Sequence, residues 1–194
     1  MIVLDTSMYL GKGLHKAAYV YPKDDGKVIK IPFNPKDDEL RHELAYRKAR
    51  QIRHLQSKLL TKYYGTVETD KGIGYVFERV LNADGTACEN LEEYLDKQQE
   101  AGWPNVNSSR KIVEDFMQQL VTDRILTNDT CMENVLLQRD AEGEIHLRII
   151  DNIGSPVKIP LVYYWDIMTL SHIHRHLRRL RKSFKEKYDG LLKD

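Results

Sequence analysis

The sequence predicts an α+β fold of two lobes, sheet-rich over residues 1–81 and truncated, mainly helical over residues 82–194. Three observations carry that expectation. Short apolar runs with period-two alternation crowd the N-terminal part, a single long segment of helical period interrupts them, and beyond Leu81 the helical period takes over, broken by one small hairpin. With 194 residues, 41% hydrophobic and 30% charged, the chain can bury a sizeable core and has the composition of a globular rather than a disordered protein. Its 30 basic and 29 acidic side chains nearly cancel, so overall charge points to neither nucleic acid nor membrane. The two cysteines, Cys88 and Cys131, do not make a disulfide framework, and neither a signal peptide nor a spanning apolar run is visible. The expected setting is reduced and cytoplasmic.

The elements follow in order. Residues 9–21 hold Gly11-Lys-Gly13 and then an Ala-Ala-Tyr-Val run, which reads as two strands around a tight turn. Asp24-Asp25-Gly26 signals a hairpin into a strand over 27–31. Asn34-Pro35 has the form of an N-cap with proline at the first helical position, opening a helix to about residue 59. Leu40, Leu44, Ile52, Leu55 and Leu59 fall on its apolar face. Strands are expected over 63–69 and 74–81, joined by Asp70-Lys-Gly72. In the second lobe, Asn90-Leu-Glu-Glu93 has capping-box spacing, and Ser108 or Ser109 can cap a helix carrying Ile112, Val113, Phe116, Met117, Leu120 and Val121. Two short strands, 135–138 and 145–150, flank Asp140-Ala-Glu-Gly143, and the remainder from about residue 161 to 192 is mostly helix.

Three constellations carry chemistry. Asp129 stands five residues before Asn134, an apolar strand follows at once, and Ile-Ile-Asp151 comes seventeen residues after the asparagine. That is the spacing of a kinase catalytic loop and metal-binding aspartate. The aspartate of such a loop accepts the proton of an attacking hydroxyl, and the asparagine and the later aspartate hold Mg²⁺ on the phosphates. A hairpin between Asn134 and Asp151 would bring the two back to one edge of the site. The competing reading makes Asp129 and Asn134 ordinary turn caps. Lys30 lies mid-strand in Val28-Ile-Lys-Ile31, where it can present a fixed charge to nucleotide phosphates, with Glu43 as the helical carboxylate orienting it. The competing reading pairs Glu43 with Arg47 one helical turn on. Gly11 and Gly13 would let backbone amides approach phosphate closely, although Lys16 stands where a third glycine is usual. The backbone of Glu78 and Val80 would then form the hinge that takes adenine.

This layout resembles the protein-kinase superfamily. In particular, Leu10-Gly-Lys-Gly-Leu-His-Lys16, Tyr64-Gly-Thr-Val-Glu-Thr-Asp70, Glu133-Asn-Val-Leu136 and Asp151-Asn-Ile-Gly154 are similar to the bacterial YrbL family, named for its place in the PhoP regulatory network, over roughly residues 9–170. The resemblance implies a minimal two-lobed kinase-like fold, ATP and Mg²⁺ as cofactors, and a role in envelope or Mg²⁺-stress physiology. Departures narrow the expectation. Asn128 replaces the arginine that couples many kinases to activation-loop phosphorylation, and Cys131 replaces a lysine that helps neutralise transferred phosphate. Asp151-Asn-Ile-Gly154 is one residue longer than Asp-Phe-Gly, and about forty residues follow it, too few for a protein-substrate platform. The phosphate acceptor is therefore expected to be a small or envelope-linked hydroxyl, or the protein itself. The alternative is a pseudokinase acting as a regulatory module.

The last helix has its own signal. Leu170, Ile173, Leu177, Leu180, Phe184, Tyr188 and Leu191 form an apolar stripe, and seven basic residues from Arg175 to Lys187 surround it. One reading is contact with an anionic surface, without specific nucleic-acid recognition. The other is a core-packed helix with a solvated basic face. His172 and His176 share a helical face, but two ligands do not close a zinc site.

Overall fold

The computed structural model describes residues 1–35, 38–127, 132–155 and 160–192. Its N-terminal part is an antiparallel five-stranded sheet made of β1 (Tyr9–Lys12), β2 (Lys16–Val20), β3 (Lys27–Pro32), β4 (Tyr63–Thr69) and β5 (Gly72–Glu78), in spatial order β1-β2-β3-β5-β4. The alternation read from the sequence sets its two faces. Ile29, Ile31 and Val76 point one way and are covered by Ile2 and Leu4 of the N-terminal segment. That segment is stitched on by a bridge from Ile2 to Thr69 and by Leu4 N–H donating to Asp70 Oδ1 at 2.8 Å. Val28 and Phe77 point the other way, against Leu40 of α1 (Asp38–Ile52).

Helix α1 is shorter than its apolar period suggests. It stops at Ile52 because His54 adopts a left-handed conformation (φ 54°). Leu55 N–H then returns to Arg50 O and His54 N–H to Gln51 O, the double closure that ends a helix in a Schellman motif. Leu59 is still fully buried, but from an extended segment that pairs with a later strand through Ile149 N–H to Leu59 O. At the other end, residues 36–37, on which the expected Asn34-Pro35 start depends, lie outside the described residues.

The C-terminal part has a three-stranded antiparallel sheet of β6 (Glu89–Asn90), β7 (Val135–Arg139) and β8 (Ile145–Ile149), with helices α2 (Leu91–Glu100), α3 (Val106–Thr122) and α4 (Asp166–Lys187). Asn90 and Glu93 form the expected reciprocal capping box on α2. Helix α3 begins two to three residues before the expected serine cap. Ser109 is wholly buried inside the helix with its hydroxyl 3.2 Å from Tyr94 Oη, so it serves the core and not the cap. Val113, Phe116, Met117 and Leu120 of α3 meet Ile173, Leu180 and Phe184 of α4 in the main core. Tyr46 and Ala49 from the C-terminal half of α1 belong to that same core, so α1 packs on the large sheet at one end and on the helices at the other. Among the described residues no helix is long and apolar enough to cross a membrane.

Candidate functional site

Lys30 sits in the central strand of the large sheet, between Ala18 of β2 and Tyr75 of β5, and is only 7% exposed. A lysine at such a position must find compensation for its charge. Its Nζ donates to Ile150 O, stands 3.5 Å from Asp151 Oδ1, and lies 4.7 Å from the centroid of the Phe77 ring. Asp151 arrives at the end of β8. The β7–β8 hairpin, in register from Val135 opposite Ile149, returns the chain to Asn134, whose carbonyl accepts Ile150 N–H at 3.0 Å. Asn134 and Asp151 line one small cavity with Phe116, Thr127 and Met132. The spacing argument thus brings Lys30, Asn134 and Asp151 together.

Asp151 has a further partner that sequence spacing did not offer. Lys16 Nζ donates to Asp151 Oδ1 at 2.7 Å, and Glu39 Oε2 lies 3.9 Å from the same ammonium. Burial by itself pushes the Asp151 carboxyl up, but the charges of Lys30 and Lys16 and the Lys16 hydrogen bond outweigh it and hold the group below its ordinary value. The reciprocal balance applies to Lys16. Burial lowers its tendency to hold a proton, and Asp151, Glu43 and Glu39 more than restore it. Both groups are therefore charged at neutral pH. One signal could have revealed Lys16: it is the residue that breaks the glycine spacing, at the first position of a strand on the same sheet face as Lys30.

The other candidates fall as follows. Gly13 is at the tip of the β1–β2 hairpin, where its N–H donates to Lys16 O at 2.9 Å, and Gly11 lies within β1 opposite Ala18. Glu43 is buried, and its carboxylate is taken by Arg47 at 2.7 Å, not by Lys30. Arg47 also donates to Thr61 O and stands 5.2 Å from the Phe77 ring, so Lys30 and Arg47 share that ring. Glu78 points to the face opposite Lys30, as the pleat requires. Its carboxylate holds Arg148 at 2.6 Å and accepts Lys62 N–H at 3.0 Å, while its own N–H is committed to Lys62 O. The strand expected over 74–81 ends at Glu78; Val80 is buried in the segment that follows, and the carbonyl of Leu81 accepts Gln138 Nε2 at 2.8 Å and so ties that segment to β7. Asp129 lies outside the described residues, as do Asn128 and Cys131.

The Asp151-Asn-Ile-Gly154 segment is fixed by its own geometry. Asn152 is left-handed (φ 57°) and its carbonyl accepts Thr127 Oγ1 at 2.9 Å, while Ile153 bridges to Thr127. Gly154 has φ 96°, and a Cβ there would stand 3.2 Å from His42 O on α1. Only glycine lets this loop lie so close to the helix.

On α4 the apolar stripe is buried in the core and the basic side chains from Arg175 to Lys185 are exposed. Lys187 is engaged by Glu92 and Asp96 of α2. Among the described residues no group of three or more His, Cys, Asp or Glu side chains could hold a metal ion.

Two ammonium groups thus meet the Asp151 carboxylate, which shares a small cavity with Asn134. Comparison with known proteins shows the family. The family profile described as PhoP regulatory network protein YrbL matches residues 2–185. The YrbL protein of Escherichia coli strain K12 is 32% identical over 169 residues, which cover 83% of this chain and 77% of that protein. The YrbL protein of Shigella flexneri matches with the same identity and coverage. On both grounds the chain belongs to the YrbL family.

Proposed function

We propose that this protein binds ATP and Mg²⁺ in a kinase-like cleft between its large sheet and its helical part and transfers phosphate to a hydroxyl. The observation that carries the reading is the meeting of Lys30 with Asp151, residues about 120 positions apart in sequence, at a cavity that Asn134 also lines. Packing alone gives no reason to bury a lysine against an aspartate beside an asparagine. Lys30 would pair with phosphate, Asn134 and Asp151 would hold the metal, and the Glu78 carbonyl and the Val80 backbone would face adenine, the Glu78 N–H being held by Lys62 O. Asp129 takes the role of base from its spacing to Asn134.

The donor set fits the metal. Asp151 carries a carboxylate and Asn134 an amide oxygen, the ligand type Mg²⁺ prefers, and both line the same small cavity. The bound ion would neutralise charge on the transferring phosphoryl group. Lys30 would fix the phosphates, and Phe77 beneath its ammonium would exclude water from that side. The acceptor class remains the small, envelope-linked or self hydroxyl, consistent with the network in the family's name.

One observation favours a second reading, a pseudokinase that binds nucleotide without turnover. Glu43, the carboxylate expected to orient Lys30, is paired with Arg47. Calorimetric titration with ATP and Mg²⁺ tests the site. Wild type should bind, and Lys30→Ala and Asp151→Ala should each weaken binding by about tenfold or more, ~1.4 kcal/mol. Absence of binding by wild type at millimolar nucleotide would overturn the nucleotide reading. Transfer of radiolabelled γ-phosphate to the protein or to water separates the two readings, and none above background would leave the pseudokinase.

A further inference from the structure

Lys16 reaches across 135 residues of chain to Asp151, and it occupies the oxygen on which a metal would be expected to sit. Asp151 Oδ1 is contacted by Lys16 Nζ at 2.7 Å, by Lys30 Nζ at 3.5 Å and by Asn152 N–H at 3.0 Å. The Lys16 side chain is 11% exposed and that of Asp151 17%, so this contact is sheltered and weakly screened. The hairpin that carries Lys16 is the opposite. Leu14 at its tip is 92% exposed, and a Cβ at Gly11 or Gly13 would meet nothing within 4 Å. Lys16 thus opens β2, which is paired with β3 through Lys16 opposite Pro32, and the exposed hairpin tip beside it leads to the edge strand β1.

We propose that Lys16 is an internal counter-ion that competes with the divalent cation for Asp151, and that once the cation takes Asp151 the released ammonium becomes the second phosphate contact beside Lys30. This rests on the nucleotide reading for its second half only. The cation–lysine competition stands on the geometry around Asp151. The exchange balances charge. Without ligand, the two ammonium groups face the Asp151 carboxylate, with Glu39 and Glu43 contributing to the field at Lys16. When metal and nucleotide enter together, the triphosphate supplies the anionic partner that Lys16 loses.

The test uses Mn²⁺ alone as probe, read by electron paramagnetic resonance, and then ATP with Mg²⁺ by calorimetry, on wild type, Lys16→Met, Lys16→Arg and Asp151→Asn. Lys16→Met should bind Mn²⁺ at least tenfold tighter than wild type and ATP with Mg²⁺ at least tenfold weaker. Lys16→Arg, which keeps the charge, should stay within a fewfold of wild type on both. Asp151→Asn should abolish Mn²⁺ binding, leaving the full signal of the free ion, which locates the site. Mn²⁺ affinity that is equal or weaker in Lys16→Met overturns the competition. Tighter Mn²⁺ binding with no nucleotide binding in any variant leaves the competition standing and removes the nucleotide reading. Normal nucleotide binding with Mn²⁺ affinity indifferent to Lys16 does the reverse. Should Lys16→Met fail to fold, Lys16→Gln, similar in length and neutral, carries the same expectation.

Discussion

At the scale of single residues, the polar groups that matter are those with fixed partners. Glu78 is one. Burial raises its carboxyl, but the Arg148 ion pair and the Lys62 amide more than reverse this and hold it below its ordinary value of 4.5. A carboxyl depressed in the folded state contributes stability above its unfolded value, and that stability is lost as pH falls through the folded value. Acid unfolding of wild type should therefore steepen below about pH 4.5, and Glu78→Gln should flatten the curve in that window. A variant with the wild-type acid profile would assign the sensitivity elsewhere. Lys30, Asn134 and Asp151 were legible in the sequence because a mid-strand charge and a fixed spacing across a hairpin are local patterns. Lys16 and the Glu43–Arg47 pair were less so. Which of two nearby cations a carboxylate takes depends on side-chain distances that helical and strand periods do not determine.

At the scale of elements, alternation and capping did most of the work. The strands at 27–32, 63–69 and 135–139 lie where the pattern put them, and Asn90 caps α2 through the box its spacing announced. What failed were ends: the serine cap expected for α3, which starts at Val106, and the termination of α1. The apolar period ran on through Leu55 and Leu59, but backbone closure around His54 ended α1 at Ile52, and period alone cannot report a left-handed residue. Two glycines show where elements touch. A Cβ on Gly74 of β5 would come within 2.4 Å of Ile29 Cγ2 and 3.0 Å of Ile31 Cδ1. Gly74→Ala should lower stability by ~1–3 kcal/mol through overpacking of β3 against β5, read from urea midpoints. Gly154→Ala should cost a similar ~1–3 kcal/mol, because its φ of 96° is disfavoured for alanine and the new methyl meets α1. A neutral Gly154→Ala would mean that the Asp151–Gly154 turn can retreat from α1.

At the scale of the whole molecule, the two parts are joined through more than the chain segment at Val80. Tyr46 Oη donates to Arg124 O at 2.8 Å and accepts Leu126 N–H at 2.9 Å, while Arg50 donates to Tyr46 Oη and to the carbonyls of Asp123 and Arg124. Tyr46→Phe should remove all three bonds to the hydroxyl and leave the Leu126 amide without that partner, while Arg124 O keeps Arg50, costing ~1–3 kcal/mol. Amide exchange at Leu126 should accelerate in that variant more than exchange in β3. Equal acceleration at both would mean that the loss is global. Because these bonds anchor the C-terminal half of α1 to the segment after α3 while Leu40 holds its N-terminal end to the sheet, α1 is a strut between the two parts. A displacement of the sheet would load Arg124 and Leu126 through that strut.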